Sequence, residues 1–320
     1  MTIDTCTDHH AQGNHSDRPD PVLTPLTRGQ AARLISLGLS TAARLGLDVT
    51  YEGGAALVPV EPSASSPVLG LSNLARVIAR FDEDRWPALV EEHFVQLQER
   101  LREGPPLPPT DPERDLIQRL VPRDALPTEW TSGRPDFLPG LLSVPSTTED
   151  GVVTMYLDPT DFGLTWSEAE RHGLTNLRRI TDHVEYLTQD DLRIAAVTGS
   201  PYAASRALVL DTVLRESLHT ETPSYGVLAA LPSRDLLLIH VIEDLSVIPA
   251  LGLMLNLTAR SHSHDPGPLS PDVYLVTRTA DTPWTWHPAT TSSPDHTPLR
   301  LSSQLQSLTQ NLATRESPPT

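Results

Sequence analysis

Between Glu103 and Pro112 the chain reads EGPPLPPTDP, five prolines in ten residues. Proline holds φ at about −65° and lacks a backbone N–H, so neither a helix nor a central strand runs through such a stretch. The run divides the chain before any other feature is weighed. It predicts a stiff linker over 104–111 with a separately built region on either side. Prolines number 31 in 320 residues, and hydrophobic residues make up 38%. That is enough for a core only if loops and ends are left out of it.

On the N-terminal side, residues 1–26 are polar and acidic and are predicted to be a disordered tail. Its His9, His10 and His15 have no preformed geometry and are read as incidental. Thr27 is an N-cap candidate for a helix through AARLISLGLSTAARLGL, with Leu34, Leu37 and Leu45 on one face. DVTYEGGAALVPV predicts two short strands around a Gly-Gly turn, and PSASSP a linker. Two amphipathic helices follow. Leu71, Leu74, Val77, Ile78 and Phe81 mark the first, after a possible Ser72 cap. Trp86, Leu89, Val90, Phe94, Leu97 and Leu101 mark the second, with Pro87 tolerated in its first turn. His93 falls on that apolar stripe and is read as packed. Residues 27–103 are thus a mostly helical N-terminal domain.

Beyond the linker, helices and strands mix without a regular βαβ alternation. GVVTMYLD, HVEYL, RIAAVT, YGVLAAL, DLLLIHVI, DVYLVT and TPWTWHP predict strands. Trp166 to Ile180, YAASRALVLDTVLRESL (about five turns) and SVIPALGLMLNLTA predict helices, the last apolar nearly all round and buried. Gly252 within it could admit a close approach. DLIQRLVPRDAL is a short strand or helical turn, and PTEWTSGRPDFLPG is irregular. The pattern predicts an α+β domain over 112–287, a mainly antiparallel sheet with packed helices. Residues 288–320 are a Ser/Thr/Pro-rich tail with one weak helix in LRLSSQLQSLTQNL.

Charge narrows the partners. Against 24 basic residues, none of them Lys, stand 41 acidic ones, a net charge of −17. A nucleic-acid backbone or an anionic membrane surface wants a basic stripe, which is missing. The single Cys6 can form neither an internal disulfide nor a Cys-based metal site and suits a reducing cytoplasm. The N-terminus lacks the apolar core of a secretory signal. The apolar region Leu236–Ala259 is interrupted by His240, Glu243, Asp244 and Pro249, too often for a membrane span.

No phosphate-binding glycine loop, nucleophile elbow, HExxH or CxxC is present, and no cofactor or metal is expected. SHSHDPGP, with His262, His264 and Asp265, comes nearest to a metal box, but its prolines favour a solvated loop. Asp161, Asp190 and Asp191 are read as caps and solvating groups. Pro232-Ser233-Arg234-Asp235 sits between two strand-length apolar runs. A hairpin turn accounts for it. The functional alternative is Arg234 offering its planar fork to a carboxylate or phosphate.

RLVPRDAL at 119–126, TNLRR at 175–179, SRALVLDTVL at 205–214, AALPSRDLLLIHV at 229–241 and LSPDVYLV at 269–276 follow an order that resembles the YtpQ-like family of uncharacterised bacterial proteins, over roughly residues 110–287. The resemblance implies an α+β domain and a cytoplasmic protein; it supplies no reaction. HGLTNL departs from it where Ala is expected before the Asn-Leu pair. The resemblance directs attention to Asn176, Arg234, Asp235, Asp272 and Tyr274. For Asn176 and Tyr274 the structural reading is a side chain tying a helix end and a packed strand ring. Two functions are expected. The first is a non-catalytic protein-interaction module, which by its acidity would favour a basic partner surface. The second is a hydrolase or small-ligand-binding enzyme with a site near Arg234, Asp235 and Tyr274.

Overall fold

The computed structural model describes residues 15–61, 69–104, 107–126, 131–149, 152–189, 192–278, 284–291 and 300–316. Cys6, His9 and His10, the PSASSP segment, and Asp190 and Asp191 lie outside these residues. The chain divides into two compact units, Met1–Pro105 and Pro106–Thr320. The division falls inside the proline-rich run.

The first unit is built on α1 (Arg28–Arg44). Thr27 opens it with a reciprocal capping box to Gln30, which satisfies two otherwise orphaned N–H groups. Strands β1 (Val49–Tyr51) and β2 (Ala56–Pro59) pair antiparallel around the Gly-Gly turn, and β3 (Leu69–Gly70) adds to β2. Helix α2 (Ser72–Ile78) has no side-chain cap; Ser72 is its first residue rather than the residue before it. Helix α3 (Trp86–Glu103) carries Pro87 in its first turn. The expected tail is corrected in part. Leu23 and Leu26 are buried against Leu34, Leu57, Trp86 and Phe94, because a leucine pair gains more from this core than the segment loses in chain freedom.

The second unit is α+β. Three strands, β4 (Ile117–Pro122), β5 (Leu141–Glu149) and β6 (Val152–Met155), form one antiparallel sheet with β5 central. Strand β5 was not expected, because Pro145 argues against a central strand. Pro145 is tolerated because its carbonyl accepts from the Tyr156 N–H on the β6 side. Its ring nitrogen therefore faces the same way, past the end of β6, and the ladder to β4 stays whole. Helix α4 (Trp166–Leu177), capped by a Thr165–Glu168 box, crosses β4 at Gly173. A Cβ there would stand 2.7 Å from Gln118 Oε1 and 2.9 Å from the Gln118 backbone nitrogen.

The larger sheet has the order β12-β11-β9-β10-β8-β7. Its strands are β7 (His183–Gln189), β8 (Leu192–Thr198), β9 (Val227–Ser233), β10 (Leu236–Val241), β11 (Val273–Thr277) and β12 (Thr285–Pro288), all antiparallel to their neighbours. Alternation sends Ala195, Val197, Ala229, Leu237 and Ile239 to one core. Ile194, Ala196, Leu228, Ala230 and Leu238 go to the other, under α5 (Val247–His264) and α6 (Ser303–Glu316). The C-terminal tail is thus also corrected: Leu305 and Leu312 are buried in that core. Helix α5 buries one face only. Gly252 meets nothing within 4 Å, so no close approach occurs there.

The expected five-turn helix is replaced by an irregular run. It is 3-10 over Ala204–Val209, one α turn over Leu210–Thr212 and π over Val213–Ser217. Val209 (φ −126°, ψ 41°) breaks it. The cause is a buried anchor. Asp182 receives Arg206 Nε and Nη2, both at 2.8 Å, and the Ser217 hydroxyl at 2.6 Å, while Arg206 Nη1 donates to the Leu177 carbonyl at 2.6 Å. In a straight α-helix residues 206 and 217 stand roughly 16 Å apart along the axis. The broken run brings both to one carboxylate. Among the described residues, no helix is long and apolar enough to cross a membrane.

Candidate functional site

Arg234 and Asp235 are the two turn residues between β9 and β10, with Ser233 opposite Leu236. Neither takes positive φ, and a register shift between Leu236 and Leu238 completes the turn. Their side chains are 40% and 50% exposed and pair with each other, Nε to Oδ2 at 3.2 Å. The backbone is held from two sides: Arg234 N–H donates to Gly267, and Ala204 N–H donates to the Arg234 carbonyl. Gly267 (φ +66°) lets the Arg234 stem lie against it; a Cβ there would meet Arg234 Cδ at 2.6 Å.

The charges of this turn act on Arg119 of β4, which lies within RLVPRDAL but was not among the expected site residues. Arg119 is only 8% exposed. Its Nη1 is sealed from solvent without a hydrogen-bond partner. Among the described residues no carboxylate lies within ion-pair distance of it. Burial pushes its guanidinium below the usual arginine value; Tyr202 and Asp235 pull it back up, and Arg234 pushes further down. The Tyr202 ring faces the guanidinium at 5.7 Å, and its hydroxyl bonds Ser146 and Thr148. Burying a cation costs free energy unless it is paired and hydrogen-bonded. Arg119 has an aromatic face and one nearby exposed carboxylate, and its donor is left over. Two guanidinium groups beside a sealed donor can take an anion with planar or tetrahedral oxygens.

The other expected site residues lie elsewhere. Asn176 on α4 donates to the Glu113 and Leu116 carbonyls at 2.8 and 2.9 Å and accepts from Arg179, tying the helix to the corner before β4. Tyr274 is 1% exposed. Its hydroxyl lies 3.0 Å from Ser270 Oγ, and its ring meets Trp286 edge-on at 6.0 Å. Burial raises its pKa, with Asp272 adding and the Ser270 hydrogen bond opposing. The Asp272 backbone N–H donates to the Ser270 hydroxyl oxygen at 3.2 Å. Tyr274 pairs with Ala229, five residues from Arg234, which is roughly 16 Å along a strand. Arg234 and Asp235 therefore lie within electrostatic reach of Arg119 and stand well along the strand from Tyr274.

Two further features are polar. A groove of about 340 Å³ is lined by Tyr186, Arg193, Thr220, Glu243, Asp244 and Ser246, among others. Arg193 stacks 3.5 Å over the Tyr186 ring. The Ser246 hydroxyl and N–H hold the Asp244 carboxyl below the usual range. His240 also borders the groove, but alternation along β10 turns its side chain to the face of Leu238. Its Nδ1 donates to the Arg193 carbonyl at 2.9 Å. Nε2 is sealed and unpartnered, so it does not open into the groove. His262 and His264 occupy the last turn of α5, not the expected loop. Two positions apart on a helix, they point away from each other. Among the described residues no group of three or more His, Cys, Asp or Glu side chains could hold a metal.

No family model, curated protein or solved structure matches the chain. None of these comparisons supports the YtpQ-like resemblance.

Proposed function

We propose that the C-terminal unit is a non-catalytic binding module that takes a carboxylate or phosphate group of a partner protein at the Arg119–Arg234 corner. One observation carries this reading: a guanidinium nine-tenths buried, with a sealed donor and, among the described residues, no acid paired to it. An anion admitted by movement of the surrounding side chains would supply the missing acceptor and offset the desolvation. Arg234, exposed and adjustable, would close on it from the turn. A hydrolase built on Arg234, Asp235 and Tyr274 finds less support, because Tyr274 bonds Ser270 in the core and stands far along the strand. The lone Cys6 supports a reducing compartment such as the cytoplasm.

The test is thermal unfolding in rising phosphate and in rising acetate, at constant ionic strength. Wild type should gain stability with at least one of them. Arg119→Met should lose that gain while keeping or raising the melting temperature without anion, since it removes an unpaired buried charge. An Arg119→Met protein that unfolds outright would make Arg119 a structural group. Anion stabilisation surviving in a folded Arg119→Met protein would place the site elsewhere.

A further inference from the structure

The two edges of the six-stranded sheet differ. At one edge β12 spans four residues and ends at Pro288, a short edge closed by a residue that cannot donate. At the other, β7 spans seven residues, HVEYLTQ. It pairs with β8 in unbroken register from His183↔Thr198 to Gln189↔Leu192. It has no proline and no bulge, two of the devices that blunt an edge; its one carboxylate, Glu185, is held by His183. Six of its seven residues are exposed, with Tyr186 at 39% and Leu187 at 37%. Among the described residues no other segment bonds its outer backbone.

We infer that β7 is a self-association edge, pairing antiparallel with β7 of a second copy to give a continuous twelve-stranded sheet. The strand's own sequence selects this occupant. Overlap of all seven residues centres the two-fold axis on Tyr186. Tyr186 then faces Tyr186, Val184 faces Thr188, Glu185 faces Leu187 and His183 faces Gln189. Aromatic and β-branched pairs of this kind stabilise antiparallel ladders, and no like charges stand directly opposite. Each Glu185 keeps His183 of its own strand at 3.1 Å. A register centred one residue earlier would set Glu185 against Glu185.

The experiment uses the full chain. Sedimentation velocity over a concentration series should show a monomer–dimer equilibrium, and Tyr186→Lys, which sets two ammonium groups on the axis, should weaken the dimer by about tenfold or more. In a Cys6→Ser background, Tyr186→Cys should oxidise to a disulfide-linked dimer. Opposed residues on paired strands have Cα atoms about 4.5–5.5 Å apart, within disulfide range. His183→Cys should not, because its two copies stand six residues apart along the strand, roughly 20 Å. A wild-type monomer at every concentration overturns the proposal. So does a dimer that Tyr186→Lys leaves intact, or one that cross-links as well through position 183.

Discussion

The two units bury different chemistry. In the N-terminal unit the described core is Leu23, Leu34, Leu57, Trp86, Phe94 and similar side chains, with Thr41 and Arg76 the polar residues below the surface. In the C-terminal unit Gln118, Arg119, Ser146, Asn176, Ser205, Arg206, His240 and Ser270 are all buried. The first unit is held by apolar stripes on regular helices. The second adds to its two apolar cores polar anchors that override regular structure, as where Asp182 breaks a helix to gather Arg206 and Ser217. Apolar packing is non-directional and roughly additive in area. A buried polar anchor is directional, and removing one partner strands the other.

The largest expected effect follows from that contrast. Asp182→Asn leaves Arg206, whose side chain is 1% exposed, without its countercharge and should cost about 3–5 kcal/mol. Hydrogen exchange should show lost protection over residues 204–217 while α1 and α3 keep theirs. A loss under about 1 kcal/mol would erase the distinction drawn between the units. Next come two glycines. Gly173→Ala drives a Cβ onto the Gln118 backbone and should cost about 1–3 kcal/mol in urea unfolding. In the N-terminal unit the corresponding contacts of Gly38→Ala are Leu57 Cδ1 at 3.3 Å and Phe94 Cε2 at 3.4 Å. Side-chain ends can yield, and alanine favours the helix by about 1 kcal/mol, so this change should be near neutral. Equal costs would mean that both interiors are equally rigid.

Thr27→Ala removes the cap of α1 and should cost about 1 kcal/mol, read from the same unfolding curves. The smallest effect is a pH slope. Burial lowers the pKa of His93, so below the ordinary imidazole value of about 6.5 the unfolded chain binds a proton that the folded chain resists. Stability should be full above that value and fall as pH drops through it. His93→Gln should flatten the slope, and a slope of opposite sign would mean that an acid pairs with the ring.

Much of the fold was legible because hydrophobic period and turn chemistry are local. Thr27, the Gly-Gly turn, the α3 stripe and the β9–β10 turn at Arg234-Asp235 all read correctly from neighbours in the chain. Strand β5 did not, because Pro145 is harmless only through where its ring nitrogen faces. The candidate site was half legible. Arg234 and Asp235 were expected from their place between two apolar runs. Arg119 was not, since an arginine at an alternate position in RLVP looks like an ordinary outward-facing side chain.

By itself, then, the sequence determined the division at EGPPLPPTDP, the α+β character of the second unit and the surplus of acid over base, since these depend on local sterics and composition. Only the tertiary structure decided that Leu23 and Leu26 join a core, that the 204–217 run breaks, and that Arg119 is buried with an orphaned donor. Each of these depends on the desolvation and pairing of groups far apart in the chain, and no local pattern encodes which distant group will arrive.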